Sequence, residues 1–314
     1  MAFDRDQLKR SLARLAEQGV FIGTSSWKYP GWRGQLYDEA RYVWRGRLSE
    51  ARFDRLCLSE YAEVFKTVCV DAAYYKFPDA RYLSGLVEQV PADFLFSFKV
   101  TGDITLKRFP QLPRFGLRAG QANANFLNAD LFTSAFLSPC ESFRQHIGLL
   151  ILEFTRFSPR DFQHGRDFVA ALDQFLGSLP RHWRYGVEIR NPNFLHPDYF
   201  AALGRHGVTH VFNSWAEMPA LSEQLALPES RTCAEFVGAR LLLRPGRKYD
   251  EAVKMFSPYH EIKDPYPEGR TAAATLVRQA VSSGSRSKAF IYVNNRFEGN
   301  ALMTINAIVQ ETLP

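Results

Sequence analysis

Tyr185-Gly186-Val187-Glu188-Ile189-Arg190-Asn191-Pro192 reads as a short strand that ends in a carboxylate, a guanidinium and a turn. Residues two apart in a strand share a face. Val187 and Ile189 therefore point one way, while Gly186, Glu188 and Arg190 point the other. A strand buried on both faces should be almost wholly apolar. Charges at its last inward positions call for a ligand or a reaction.

Working outward, seven other segments have the same character. Val20 to Ser26, Phe65 to Asp71, Phe94 to Thr101 and Gly148 to Phe154 precede the stretch. Val208 to Ser214, Phe236 to Arg244 and Ala289 to Val293 follow it. In Phe94–Thr101, Phe94, Phe96 and Phe98 share one face and Ser97, Lys99 and Thr101 the other, so the phenylalanines should meet helices and the polar face an interior. Helical spacing of apolar residues fills the gaps at 4–17, 48–64, 78–90, 159–178, 199–203, around Ser222, 270–283 and 299–311. The reading predicts an α/β chain, a single (β/α)8 TIM-type barrel over 1–314, with residues 1–18 as a leading helix. Residues 103–146 form an extended loop-plus-helix insertion after strand three, a candidate lid. An open doubly wound sheet would carry a glycine-rich phosphate loop after its first strand; Gly23-Thr24-Ser25-Ser26-Trp27 does not supply one.

Composition narrows the function classes. The chain has 314 residues, 46% of them hydrophobic and 23% charged, enough for a full core. Cys57, Cys69, Cys140 and Cys233 are scattered, which fits a reducing, cytoplasmic setting better than a disulfide framework or zinc knuckle. No apolar run approaches the ~20 residues of a membrane span, and no secretory leader is expected. The net charge of +6 has no dominant basic block and reads first as a solvated surface.

Barrel enzymes place their chemistry at the C-terminal strand ends. Here those ends offer Ser25/Ser26, Asp71, Lys99, Glu153, Glu188/Arg190, Asn213, Arg240/Arg244 and Asn294/Asn295. The candidate catalytic groups are Glu188, Asp71 and Glu153. The candidate binding groups are Arg190, Lys99, Trp27, Trp32, Tyr75, Ser25, Asn213, Arg244, Asn294 and Asn295. Arginine offers a planar fork and lysine a point charge to a phosphate or carboxylate. Glu188 would act as general acid or base, with Asp71 or Glu153 as a second carboxylate. The Trp27/Trp32 loop either lines a pocket or covers the barrel mouth.

No histidine pair has metal spacing and no cofactor is evident; a Mg²⁺ on Asp71 and Glu153 is the one metal arrangement the residues allow. Cys69 has no adjacent base and reads as core. The expected partner is a small anionic or polyhydroxylated molecule handled by a hydrolase, lyase or isomerase. The alternative is a nucleotide or nucleic-acid binding module without catalysis, drawing on loop aromatics and the basic loops Arg41–Arg47 and Arg244–Lys248. A non-catalytic scaffold is the third reading.

Four motifs resemble the DUF72 (YecE-like) family. Ile22-Gly23-Thr24-Ser25-Ser26-Trp27 with Tyr29-Pro30-Gly31-Trp32 is similar to its opening I-G-T-S-G-W-x-Y-x-x-W. Asp71-Ala72-Ala73-Tyr74-Tyr75-Lys76-Phe77-Pro78 is similar to N-S-T-F-Y-x-x-P. Glu188-Ile189-Arg190 is similar to E-x-R-H, and Asn294-Asn295 with Gly299, Ala301 and Asn306 to the ending N-N-x-x-G-x-A-x-x-N-A. The resemblance implies a barrel and brings no established reaction. The chain departs from the pattern at Cys69 (glutamate in the family), Asp71 (asparagine), Asn191 (histidine) and Glu153 (glutamine).

Overall fold

The protein is described by a computed structural model covering residues 3–284 and 287–312; residues 1–2 and 313–314, the ends of the expected 1–314 unit, lie outside the described residues. Eight parallel strands close into a barrel. They are β1 Val20–Thr24, β2 Thr67–Val70, β3 Leu95–Lys99, β4 Ile147–Glu153, β5 Tyr185–Glu188, β6 Thr209–Ser214, β7 Phe236–Leu241 and β8 Lys288–Val293. Each strand pairs with its neighbours in sequence, and β8 pairs with β1 over Val20↔Ala289 to Thr24↔Val293 to close the ring. Helices fill the connections and cover the outer face, while the inner face packs on itself, so the strands are buried along nearly their whole length. The expected TIM-type barrel is the fold observed.

Strand parity explains the layers. Outward residues such as Phe96, Phe98, Val187 and Phe212 join the main core beneath the helices. Inward residues Cys69, Leu149, Ile151, Val211, Phe290 and Tyr292 form a separate inner cluster. Tyr292 spans that interior, with its hydroxyl donating to Ser97 Oγ at 2.5 Å. Gly186 and Gly238 matter here because of close approach. A Cβ at Gly186 would lie 2.7 Å from Val211, and one at Gly238 2.8 Å from Leu149. Their missing side chains let Leu149 and Val211 fill the middle of the barrel. Two residues beyond them on the same strands stand Glu188 and Arg240, so a dry layer of small and apolar groups forms the floor of the charged mouth.

Some boundaries differ from the sequence reading. The helix expected from Pro78 is Ala80–Val87, because Asp79 caps it through the Tyr82 N–H. Tyr249–Phe256 is a helix that directly follows the basic loop Arg244–Lys248 and is absent from the sequence reading. A two-stranded hairpin, Val43–Trp44 with Arg47–Leu48, has too few residues to show a strand pattern. The insertion between β3 and β4 is anchored, since the Phe132 ring packs 6.0 Å from that of Phe175 and 6.2 Å from that of Tyr185. Its stretch Arg108–Gly120 borders the mouth of the barrel.

Candidate active site

At the C-terminal mouth, three cations and three carboxylates form one cluster. Glu153 and Glu188 are register partners on β4 and β5. Two like charges side by side on neighbouring strands repel. Arg240 reaches across from β7 and answers both: its Nη1 lies 2.5 Å from Glu153 Oε2 and 2.7 Å from Glu188 Oε2. Its Nη2 lies 3.5 Å from Asp71 Oδ1. Lys99 Nζ approaches Glu153 Oε1 at 2.9 Å, and Arg190 Nη2 approaches Glu153 Oε2 at 2.9 Å and Glu188 Oε1 at 3.3 Å. Aromatic faces back the two outer cations. Lys99 Nζ sits 3.8 Å from the Tyr74 ring centroid and the Arg190 guanidinium 3.7 Å from that of Trp215.

The cluster is graded by depth. The side chains of Glu188, Glu153 and Arg240 are 0%, 2% and 3% exposed; Arg190 and Lys99 are 11% and 12%, and Asp71 is 38%. Burial alone would push the Glu153 carboxyl up, but Arg190, Lys99 and Arg240 together hold it well below the usual carboxylate range. Glu153 is therefore a fixed anion that accepts from three cations. Burial works against the Arg240 charge too, yet the surrounding carboxylates, Glu188 foremost, keep it protonated. The accessible members are two cations and one carboxylate, Lys99, Arg190 and Asp71.

The other candidates divide. Ser25, Asn213, Asn294 and Asn295 are all buried at strand ends. Asn213 Nδ2 donates to Ile189 O, tying β6 to β5. Asn294 Oδ1 accepts from Arg296 N–H and shapes the turn after β8. Asn295 Oδ1 accepts from Ala301 N–H, at the start of the last helix, and from Trp32 Nε1 at 3.2 Å. That last bond joins the first family motif to the last and closes the barrel. Trp32 is fully buried between Tyr29 and Tyr37, so it covers the mouth and offers no face to a ligand. Trp27 lines a cavity of about 630 Å³ together with Asp71.

Two expected residues stand apart. Tyr75 is 61% exposed and lies beside Arg114, whereas its neighbour Tyr74 packs under Lys99. Arg244 is on the rim, paired with Asp264 at 3.4 Å and set over Tyr266. Arg240 takes the central place instead. Its inward parity with Gly238 places it among the strand ends, but extending β7 to Arg244 rather than Leu241 makes the outer arginine the binding candidate.

Six buried polar atoms in this region have no protein partner: Ser25 Oγ, Trp27 Nε1, Arg240 Nε, Asn295 Nδ2, Arg296 Nε and Asn213 Oδ1. Four are N–H donors and one is a hydroxyl, a set suited to an acceptor-rich molecule. Beside Arg190 and Trp215, a groove of about 750 Å³ also presents Arg108, Arg156 and Arg160.

Among the described residues no three His, Cys, Asp or Glu side chains gather as a metal-ligand set, and the place between Asp71 and Glu153 is taken by Arg240. His210 faces outward, 3.1 Å from the Tyr199 hydroxyl, and burial pushes it down to about 3, so it is neutral. Burial pushes the Cys69 thiol up to about 12, which leaves it protonated and a poor nucleophile. Cys57 and Cys140 are raised to about 12 by the same cause, while Cys233 is only half-buried. A thiol reagent at pH 8 is expected to label one cysteine, Cys233, in the native protein and four after denaturation. Rapid native labelling of Cys69, read by peptide mass, would contradict its burial.

No helix among the described residues is long and apolar enough to cross a membrane. The family model described as "Protein of unknown function DUF72" matches residues 21–313. The UPF0759 protein YecE of Escherichia coli K12 is 26% identical over 176 residues, 56% of this chain and 50% of the relative. The matched stretch thus spans about half the length of that curated relative. A DUF72 family protein of Enterococcus faecalis V583 superposes with a TM-score of 0.62 at 15% identity, covering 93% of this chain and 97% of the other. One from Thermotoga maritima MSB8 gives 0.58 at 18% identity, with coverage of 93% and 97%. At such identities the two structures bear on the fold alone.

Proposed function

This chain belongs to the DUF72 family, and we propose that it is an enzyme that binds a small anionic or polyhydroxylated molecule at the C-terminal mouth and moves a proton with Asp71. The observation that carries the reading is the depth grading of the charge cluster. Glu153, Glu188 and Arg240 are locked together below, with their charges answered by one another. Above them, Lys99 and Arg190 offer positive charge with donors to spare, and Asp71 offers the accessible carboxylate. A substrate anion would sit between the two cations, and the donor-rich rim would take hydroxyl or phosphate oxygens. Asp71 would then act as general acid or base on the bound molecule. Glu188 and Glu153 hold the cations in place. Four free cysteines suit a cytoplasmic setting.

The arginine groove favours a second reading, a nucleotide or nucleic-acid binding module without catalysis. Arg108, Arg156 and Arg160 extend the positive surface beyond the size of a small substrate.

A thermal-shift screen separates the two. The panel holds phosphorylated sugars, nucleotides, carboxylates, free sugars, divalent metals and short oligonucleotides, against wild type and Arg190→Ala at low and moderate salt. The enzyme reading expects a small-molecule hit that survives moderate salt and weakens at least tenfold in Arg190→Ala. Stabilisation by oligonucleotides alone, salt-sensitive and equal in both proteins, would overturn it in favour of the binding module.

A further inference from the structure

Arg184 and Lys288 stand at the opposite end of the barrel, on the inward faces at the starts of β5 and β8. Each lies two or four residues before an inward residue already described: Gly186 and Glu188 on one strand, Phe290 and Tyr292 on the other. Both line two adjoining cavities at the N-terminal mouth, of about 510 and 980 Å³. Both are half-buried, and neither forms an ion pair among the described residues. The nearby Glu141 is within reach of Arg144 and His182, and Glu235 on the wall makes no ion pair. Leu95, Ile147 and Phe236 floor the cavities and separate them from the charged cluster at the other end. Two half-buried cations facing one space, with no carboxylate in ion-pair reach of either among the described residues, are costly unless an anion joins them. Burial lowers the pKa of each, and Arg184 lowers that of Lys288 further.

We infer that the N-terminal mouth binds a tetrahedral oxyanion, a phosphate or phosphate-bearing molecule, between Arg184 and Lys288. The two cations together decide the anion class, since a carboxylate's two oxygens occupy one edge of Arg184 and a tetrahedral anion has further oxygens for Lys288. Arg184 Nε donates to Gly148 O at 2.6 Å and Nη2 to Ile147 O at 2.5 Å. One edge of its fork, Nε with Nη2, is therefore spent on the start of β4, and the end-on edge stays open to an anion. The Nη1/Nη2 end remains, together with the three rotatable donors of Lys288 Nζ, which have no protein acceptor among the described residues. Donors from two directions match oxygens spread over a tetrahedron. Barrels carry their chemistry at the other end, so this site stabilises or regulates the fold by ligand linkage.

The test is a thermal-shift titration with inorganic phosphate and with acetate, each balanced by chloride to constant ionic strength. It is run in the Arg190→Ala background so that the C-terminal mouth does not contribute. Arg184 itself is left in place because it holds strand carbonyls. The parent should rise in Tm saturably with phosphate and at least twice as far as with acetate. Lys288→Met should lose most of that response. Lys288→Glu should melt higher than the parent without phosphate, because a carboxylate now answers Arg184, and should not respond to the anion. An unchanged phosphate response in both Lys288 variants, or an acetate response equal to that of phosphate, would overturn the site.

Discussion

Replacing Arg240 with alanine should destabilise the protein by about 3–5 kcal/mol, the cost of stranding a buried counter-charge. Two carboxylates on adjacent strands, 0% and 2% exposed, share the same guanidinium nitrogen. Without it Glu188 loses its shortest ion pair and keeps only Arg190 at 3.3 Å; Glu153 keeps Lys99 and Arg190. The double variant Arg240→Met with Glu188→Gln should recover part of the loss, since removing both partners costs less than breaking the pair. Acid should discriminate as well. The Glu153 carboxyl is depressed in the folded state, so its contribution is complete above its unfolded value of about 4.5 and is lost as pH falls through the folded value. In Arg240→Ala one of three cations is gone and the depression shrinks. The stability gap between wild type and variant should therefore be larger at pH 7.5 than at pH 4 in urea unfolding. A gap under 1 kcal/mol, or one that widens in acid, would remove Arg240 from the centre of the site.

The same cluster shows what a sequence can and cannot carry. The barrel was legible because strand parity is local: Phe94, Phe96 and Phe98 announced an outward face, and Glu188 beside Val187 announced an inward charge. The strand ends named from parity are the residues that stand around the mouth. Pairing was not legible, because it depends on register between strands. Glu153 and Glu188 lie 35 positions apart in the chain, and only the β4–β5 register sets them side by side. Arg240, one of the named strand ends, is passed over as a binding group for a related reason. Leu242 and Leu243 continue the apolar run after the chain has left the barrel, so β7 looked longer and Arg244 looked like its end. The Trp32–Asn295 bond spans 263 positions and could not be read from either motif alone. Depth was hidden too: Glu188 and Asp71 are both strand-end carboxylates by pattern, but one is sealed and the other faces solvent.

That difference in depth leads to the second large effect. Asp71→Asn should cut turnover of any substrate found by the screen by about 10²–10⁴, the usual worth of a positioned acid or base. The fold should tolerate it, because among the described residues the only ion pair Asp71 makes is the 3.5 Å approach to Arg240, and a side chain 38% exposed gains little from such a contact. Asparagine keeps the shape and removes the titrating oxygen, so binding should persist and KM should change little. Glu188→Gln should behave in the opposite way. It should lose stability, since Arg240 and Arg190 both lose an acceptor charge, and it should lose activity only in proportion to how far those cations move. Measuring kcat, KM and urea stability on both variants separates a carboxylate that touches the substrate from one that holds the cations that do. If Asp71→Asn keeps turnover within threefold while a folded Glu188→Gln is inactive, the roles are reversed. The buried cluster must then open during the reaction to expose the carboxylate at its base.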